Sequence, residues 1–310
     1  MILVTGSSGP LGKAMRITCQ EENIKFVDST WANLTSREST LDAFSAQQKI
    51  EKLSGIVHLA AKSGGSQLSS KEPASLLHDN LEMVVNVLEA ARIHDVKDVV
   101  LVSSIAAYPT SILNPSEDQL FEGPIESVDY AYGYAKRLFV PLMRAYNHQY
   151  SMSIKVVIVN GIIGPFMSFE EGRSILPATL IKKFSESQDS HSPLRVMGDG
   201  TPLREYTYSI DLARNIFWSY FHQEPNTALN IGHSKRYSVR NIAEMICRSL
   251  ELDESRLRFD GSNLGARKIQ STDNSLFLKL SGLTFTPIEV AIQKTCDWYL
   301  SQNTLVRKEK

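Results

Sequence analysis

The first apolar run, Ile2-Leu3-Val4-Thr5, is short and β-branched and ends on Gly6-Ser7-Ser8-Gly9-Pro10-Leu11-Gly12. Apolar positions at helical spacing follow from Lys13 to Gln20, and a second strand-like run spans Ile24 to Asp28. A period of two, then of 3.6, then of two again is the pattern of a βαβ unit. Similar runs at Gly55 to Leu59, Val99 to Ser103 and Lys155 to Val159 alternate with helical stretches such as Asn80 to Arg92 and Tyr134 to Tyr150. Alternation of this kind predicts an α/β fold with a Rossmann-like, doubly wound parallel sheet.

The pattern changes after Gly161. A Gly/Pro-rich passage to Pro165, a helical stretch from Pro177 to Ser185 and a loop from Ser187 to Pro193 predict a smaller C-terminal α/β lobe. Arg204 to Phe221 reads as a strand followed by a helix that returns to the main sheet, and Val239 to Leu250 and Pro287 to Leu300 read as amphipathic helices. The expected division is therefore residues 1–165 plus about 204–233 in the first domain, and about 166–203 plus 234–310 in the second. Arg307 to Lys310 reads as a frayed end. No repeat or low-complexity tract interrupts this.

Composition narrows the function classes. With 310 residues, 42% of them hydrophobic, the chain can bury a large core. Its 33 Lys plus Arg nearly balance 34 Asp plus Glu, so it lacks the basic surface a nucleic-acid binder needs. Ile2 to Val4 runs into Gly6 with no basic leader, and no later stretch approaches the ~18 apolar residues of a membrane span. The expected location is the cytosol. Cys19, Cys247 and Cys296 are widely separated and lack metal-ligand spacing, which predicts buried thiols, with neither a disulfide framework nor a metal site.

The loop after the first strand carries the first candidate chemistry. Gly6, Gly9 and Gly12 have the spacing that lets backbone turn tightly and approach a diphosphate at a helix N-terminus, so Gly6, Ser7, Ser8, Gly9, Pro10, Leu11 and Gly12 are candidate dinucleotide contacts. The spacing differs by one residue from Gly-x-Gly-x-x-Gly, and its place directly after the first strand is what gives it weight. Asp28 closes the second strand, where an acid can accept from a ribose hydroxyl of NAD and repel the extra phosphate of NADP; a solvated turn residue is the plain alternative. Leu59-Ala60-Ala61 supplies small side chains after the third strand.

The second candidate chemistry is proton transfer. Tyr132 and Lys136 stand four apart and share one helix face, so an ammonium there would favour the phenolate and lower the tyrosine's pKa. Tyr134 is two residues from Lys136 and faces elsewhere. Ser103-Ser104, at the end of a predicted strand, can donate to the same substrate oxygen.

A glycine loop, a serine and a Tyr-x-x-x-Lys in this order resemble the extended short-chain dehydrogenase/reductases, the NAD-dependent epimerase/dehydratase family. Within it the chain is similar to the GDP-L-fucose synthases. The likeness runs through Val57 to Gly65, Tyr132 to Arg137, Arg144-Ala145-Tyr146, Gly198 to Ala213, Phe285-Thr286-Pro287 and Thr295 to Tyr299. It implies that Tyr132 protonates a C4 oxygen, that Lys136 binds the nicotinamide ribose, and that Ser103, or Ser104 beside it, steadies the carbonyl. It also implies Arg204 at the nucleotide diphosphate and Lys183 at the sugar nucleotide.

Departures from that pattern carry as much meaning. Ile105 and Ser174 occupy the places of the cysteine and histidine that exchange protons at C3 and C5, and neither is a general base at working pH. Val159-Asn160-Gly161 replaces Pro-Thr-Asn, Met197 replaces a tryptophan, and the basic loop after Phe259-Asp260 is rearranged around Arg267-Lys268. Asn160 is thus expected at the cofactor and substrate, and Ser174, Met197 and Arg267 at the substrate. The resemblance implies NADPH-dependent reduction of a 4-keto sugar nucleotide, GDP-linked, with 3,5-epimerase activity weak or missing. NAD stays open because of Asp28. A 4-epimerase or dehydratase holding NAD tightly, and a dinucleotide-binding protein without catalysis, are the alternatives. A homodimer through the helices at Asn80 to Arg92 and Tyr134 to Tyr150 is implied as well.

Overall fold

The β-branched run behind Met1 forms the inner strand of a six-stranded parallel sheet. In the computed structural model, which describes all residues except 30–31, 65, 171–173, 188–191, 263–268 and 309–310, the first half runs β1 (Ile2–Thr5), α1 (Pro10–Glu21), β2 (Phe26–Asp28), α2 (Arg37–Ile50), β3 (Gly55–His58), α3 (Ser66–Lys71), α4 (Pro73–Ile93), β4 (Asp98–Ser104), α5 (Tyr130–Arg137), α6 (Phe139–Tyr150) and β5 (Ser153–Val159). The second half adds β6 (Gly161–Ile163), α7 (Leu176–Ser185), β7 (Leu194–Val196), β8 (Leu203–Arg204), β9 (Tyr206–Tyr208), α8 (Ser209–His222), β10 (Ala228–Ile231), β11 (Tyr237–Ser238), α9 (Val239–Ser249), β12 (Leu257–Phe259), β13 (Ile269–Gln270), α10 (Ser275–Ser281) and α11 (Ile288–Lys308).

The sheet order is β2-β1-β3-β4-β5-β10, with every pairing parallel. The chain winds outward from β1 to β2 and then crosses back to β3, so a crevice opens at the carboxyl ends of β1 and β3, where ligands bind in open sheets. Pro10 starts α1 with a φ already suited to a helix and no amide to leave unpaired.

Two expectations change. The helix predicted from Tyr134 to Tyr150 is two helices, because Pro141 has no N–H to offer the Arg137 carbonyl and the ladder breaks at Leu138. Arg204 to Phe221 does not add a strand to the main sheet: β9 pairs with β6 in a separate two-stranded sheet, and α8 packs against α1, β4 and β5. The strand that does return is β10, brought back parallel to β5 after α8 crosses the sheet.

The smaller lobe rests on α7, α9 and α11, with the short pairs β7-β12 and β11-β8-β13. One continuous apolar cluster runs from Met15 and Val57 through Leu180 and Ile246 to Ile292, so the two lobes share a core. Among the described residues no helix is long and apolar enough to cross a membrane, and no group of three metal-ligating side chains forms. Cys19, Cys247 and Cys296 are free and buried, and burial pushes each thiol up to about 12.

Candidate active site

The chain turns out of β1 at Gly6, whose φ of 71° suits glycine; a Cβ there would lie 2.7 Å from the Ala60 nitrogen. Gly9 donates to the Gly6 carbonyl at 3.1 Å, and a Cβ on Gly12 would lie 2.3 Å from the Ser7 Cα. The loop is thus folded tightly between the start of α1 and the end of β3, which is where Leu59, Ala60 and Ala61 stand. Lys13 donates to the Gly9 carbonyl at 3.0 Å, so the amides ahead of it belong to the unpaired first turn of α1. The Ser7 hydroxyl is buried without a hydrogen-bond partner. Beside the loop lies a pocket of about 300 Å³ lined by Gly6, Ser7, Ser8, Ser29, Ala32, Asn33, Leu34, Thr35, Ala60 and Met83. A cradle that side chains would fill, an orphaned hydroxyl and a helix N-terminus together fit a dinucleotide diphosphate.

Asp28 closes β2, one residue before Ser29 of the pocket lining. Its carboxylate is held by Arg16 of α1, with Nη2 2.5 Å from Oδ2. Sequence reasoning did not single out Arg16.

At the end of β4 the two serines part company. Ser103 is buried and donates to the Lys136 carbonyl at 2.9 Å, fastening α5 to the sheet. The Ser104 side chain accepts from the Ala106 amide at 3.2 Å, and its hydroxyl is near enough to the Tyr132 phenol to favour the phenolate. Gly133 permits this approach, since a Cβ there would lie 2.4 Å from the Ala106 carbonyl. Tyr134 faces away, its hydroxyl accepting from the Ile125 amide at 3.3 Å and its ring 5.2 Å from the Arg137 guanidinium.

Lys136 is buried with Nζ donating to the Val102 carbonyl at 2.9 Å and lying 4.4 Å from the centre of the Phe139 ring. Burial without a carboxylate lowers its pKa to about 7. Tyr132 shows the opposite of the expected depression: loss of water around the phenol raises it to about 12, against the smaller effect of Ser104, and Lys136 is not among the groups that shift it. The resting tyrosine is therefore a protonated acid. Beneath the pair, His58 bonds Thr5 Oγ1 at 2.8 Å and is kept neutral by burial, with its pKa lowered to about 3.

Arg204 is half-buried and donates to the Leu203 carbonyl at 2.7 Å. Lys183 of α7 bonds the Arg195 carbonyl at 2.7 Å, Met197 follows β7 and is exposed, and Ser174 bonds Thr179 Oγ1 at 2.7 Å. Arg267 lies outside the described residues.

Asn160 needs a correction. Its Oδ1 accepts from Thr207 at 2.6 Å and its Nδ2 donates to the His233 carbonyl at 3.1 Å, so its amide is committed to the protein and ties β5 to β9. Next to it Glu205 is buried, with Oε2 accepting from the Thr272 amide at 3.1 Å and Oε1 3.8 Å from Arg236 Nε. Burial raises its pKa from 4.5 to about 7, so the folded protein holds this proton more tightly than the unfolded chain. That contribution is fully present below pH 4.5 and is lost as pH rises through about 7. Thermal unfolding of Glu205→Gln and wild type should therefore diverge in favour of the variant between about pH 5 and pH 8, by on the order of 3 kcal/mol. A constant gap would mean that Arg236 keeps the carboxylate charged throughout.

Residues 2–232 match the model of the NAD dependent epimerase/dehydratase family. A GDP-L-fucose synthase from Dictyostelium discoideum is 31% identical over 99% of this chain and 97% of its own length, and a GDP-L-colitose synthase from Yersinia pseudotuberculosis is 26% identical over 97% and 98%. The crystal structure of a GDP-L-fucose synthetase from Naegleria fowleri bound to NADP superposes with a TM-score of 0.88 at 27% identity, covering 98% of this chain and 94% of that one. The chain therefore belongs to the NAD-dependent epimerase/dehydratase family and is an NAD(P)-dependent oxidoreductase of the GDP-L-fucose-synthase-like kind.

Proposed function

We propose that the protein reduces the C4 ketone of a 4-keto-6-deoxy sugar nucleotide, GDP-linked, with NADPH, and that 3,5-epimerase activity is weak or absent. The observation that carries the reading is the Ser104–Tyr132–Lys136 group at the end of β4, in the same row of strand ends as the glycine loop. The reduced nicotinamide, when bound, supplies hydride to C4. Tyr132 gives its proton to the ketone oxygen as charge develops there, and its high pKa keeps that proton in place beforehand. Ser104 orients the phenol, leaving Ser103 to hold α5. Lys136 spends one donor on the Val102 carbonyl and keeps two for ribose hydroxyls. With a pKa near 7 it exchanges a proton readily enough to restore the phenol after turnover.

Arg204 holds the diphosphate, and Lys183, Met197 and Ser174 border the sugar nucleotide. Ile105 is buried and has no titratable group, while Ser174 is tied to Thr179, so neither removes a proton from C3 or C5. The lack of an acid at Ser104-Ile105-Ala106 also argues against dehydration. In the same reading two copies pair through α4 and the α5–α6 stretch, at Asn80 to Arg92 and Tyr134 to Tyr150.

The protein incubated with GDP-4-keto-6-deoxymannose and NADPH in deuterated water should oxidise NADPH and place no deuterium at C3 or C5. Deuterium at either carbon would overturn the loss of epimerisation, and unreacted NADPH would overturn reduction of this substrate.

A further inference from the structure

Two arginines meet on the short β7–β12 ribbon of the smaller lobe. Leu194 and Val196 of β7 belong to the core, and Leu257 and Phe259 of β12 pack against it, so alternation turns the residues between them, Arg195 and Arg258, to the solvent face. The strands are parallel with Arg258 in register with Arg195, which sets the two charges side by side on backbones about 4.8 Å apart. Like charges placed opposite each other destabilise a strand pair. Among the described residues neither guanidinium is in an ion pair, and that of Arg195 makes no hydrogen bond. Arg258 donates from Nη1 to the Ser255 and Leu257 carbonyls, at 2.6 and 2.8 Å, which fixes its place with one nitrogen of three.

The acids that flank β12 in sequence are committed elsewhere. Asp253 accepts from the Ser255 amide at 2.8 Å and from its hydroxyl at 2.6 Å, and Glu254 pairs with Arg248 at 2.9 Å. Asp260 accepts from the amides of Gly198 and Ser262, at 2.8 and 2.9 Å. Along β7 no acid stands between Ser192 and Gly198, and Lys183 adds a further positive charge, with Nζ on the Arg195 carbonyl at 2.7 Å. The balancing charge must therefore come from outside the ribbon. We propose that Arg195 and Arg258 form a fork that binds the phosphate group of a small anion, on a different lobe from the glycine loop and independent of the reductase reading. A phosphate carries nearly two negative charges and several acceptor oxygens, which suits two planar guanidiniums, whereas a carboxylate suits one. The strand pair sets the spacing of the two arginines in advance, so binding orders little besides their side chains.

Thermal unfolding with sodium pyrophosphate, compared with sodium chloride of equal ionic strength, tests this without substrate or cofactor. At about 10 mM pyrophosphate the wild type should melt about 2–3 °C higher than in chloride, the shift given by a dissociation constant of about 1 mM. Arg195→Gln and Arg258→Gln should each lose most of that rise. Without pyrophosphate, at low ionic strength, each should melt no lower than wild type, because a facing like charge has been removed. Arg248→Gln, which alters a surface arginine already paired with Glu254, should keep the rise. GDP in place of pyrophosphate separates the sources of the phosphate: a GDP response that needs both arginines assigns the fork to a nucleotide, and one indifferent to them assigns it to a free phosphate anion. A wild type whose melting ignores pyrophosphate, or a rise that survives both substitutions, would overturn the fork. So would a loss of several degrees in either variant without any added anion, since the arginines would then be held by the protein itself.

Discussion

Tyr132→Phe should reduce turnover of a 4-keto sugar nucleotide by about 10²- to 10⁴-fold, the usual contribution of a positioned general acid, while NADPH binds as before. The ring is retained, so its packing near Lys136, whose Nζ lies 5.8 Å from the ring centre, changes little. What disappears is the proton that meets the developing alkoxide. Water is a poor substitute, because the surroundings that raise the phenol to about 12 also exclude it. Removing a buried hydroxyl should change stability by about 1 kcal/mol, visible in thermal unfolding but far too small to explain the lost turnover. The comparison is therefore between kcat and the NADPH dissociation constant measured on one preparation. A variant with full turnover would show that the proton comes from elsewhere, and one that no longer binds NADPH would show that Tyr132 is part of the cofactor cradle first.

The residues differ in how far sequence alone could place them. The glycine loop and the order of strands were legible because they are local: a change of hydrophobic period marks each element, and glycines at fixed offsets mark the turn. The break at Leu138 was equally local, written in Pro141, but a continuous apolar pattern masked it. Choosing between Ser103 and Ser104 required knowing how α5 docks, and Gly133, the residue that lets it come close to Ala106, carried that information. Asp28 was found at its strand end, whereas Arg16 was not, since their contact depends on which face of α1 turns toward β2. Asn160 was misread as facing a ligand because its partners, Thr207 and His233, are distant in sequence and close only after β9 and β10 are in place. The Tyr132–Lys136 spacing correctly placed the two groups on one helix, but the sign of the tyrosine shift is decided by burial, which spacing does not report.

Gly12→Ala should abolish most cofactor binding and destabilise the fold, and the argument sets two opposing effects against each other. Alanine is preferred over glycine within a helix by about 1 kcal/mol, so on helix propensity alone the change would stabilise α1. Against this, the new Cβ would lie 2.3 Å from the Ser7 Cα and 2.5 Å from the Gly6 carbonyl oxygen, where comfortable contacts need about 3.5 Å or more. Both neighbours are backbone, so no side chain can rotate to give room, and α1 must move away from the loop. Overpacking of this kind costs about 1–3 kcal/mol or more, which outweighs the propensity gain. The displacement falls on the same amides that meet the diphosphate, and each 1.4 kcal/mol lost there is about tenfold in affinity, so NADPH binding should weaken by about 10- to 100-fold. Gly9→Ala separates the two consequences, because its Cβ would meet only the Gly6 carbonyl oxygen, at 3.4 Å. Its melting temperature should stay near that of wild type, and any loss of NADPH binding would then report close approach of the diphosphate to the loop. A Gly12→Ala variant that melts and binds like wild type would mean that the first turn of α1 is free to shift and that the glycine is not what shapes the cradle.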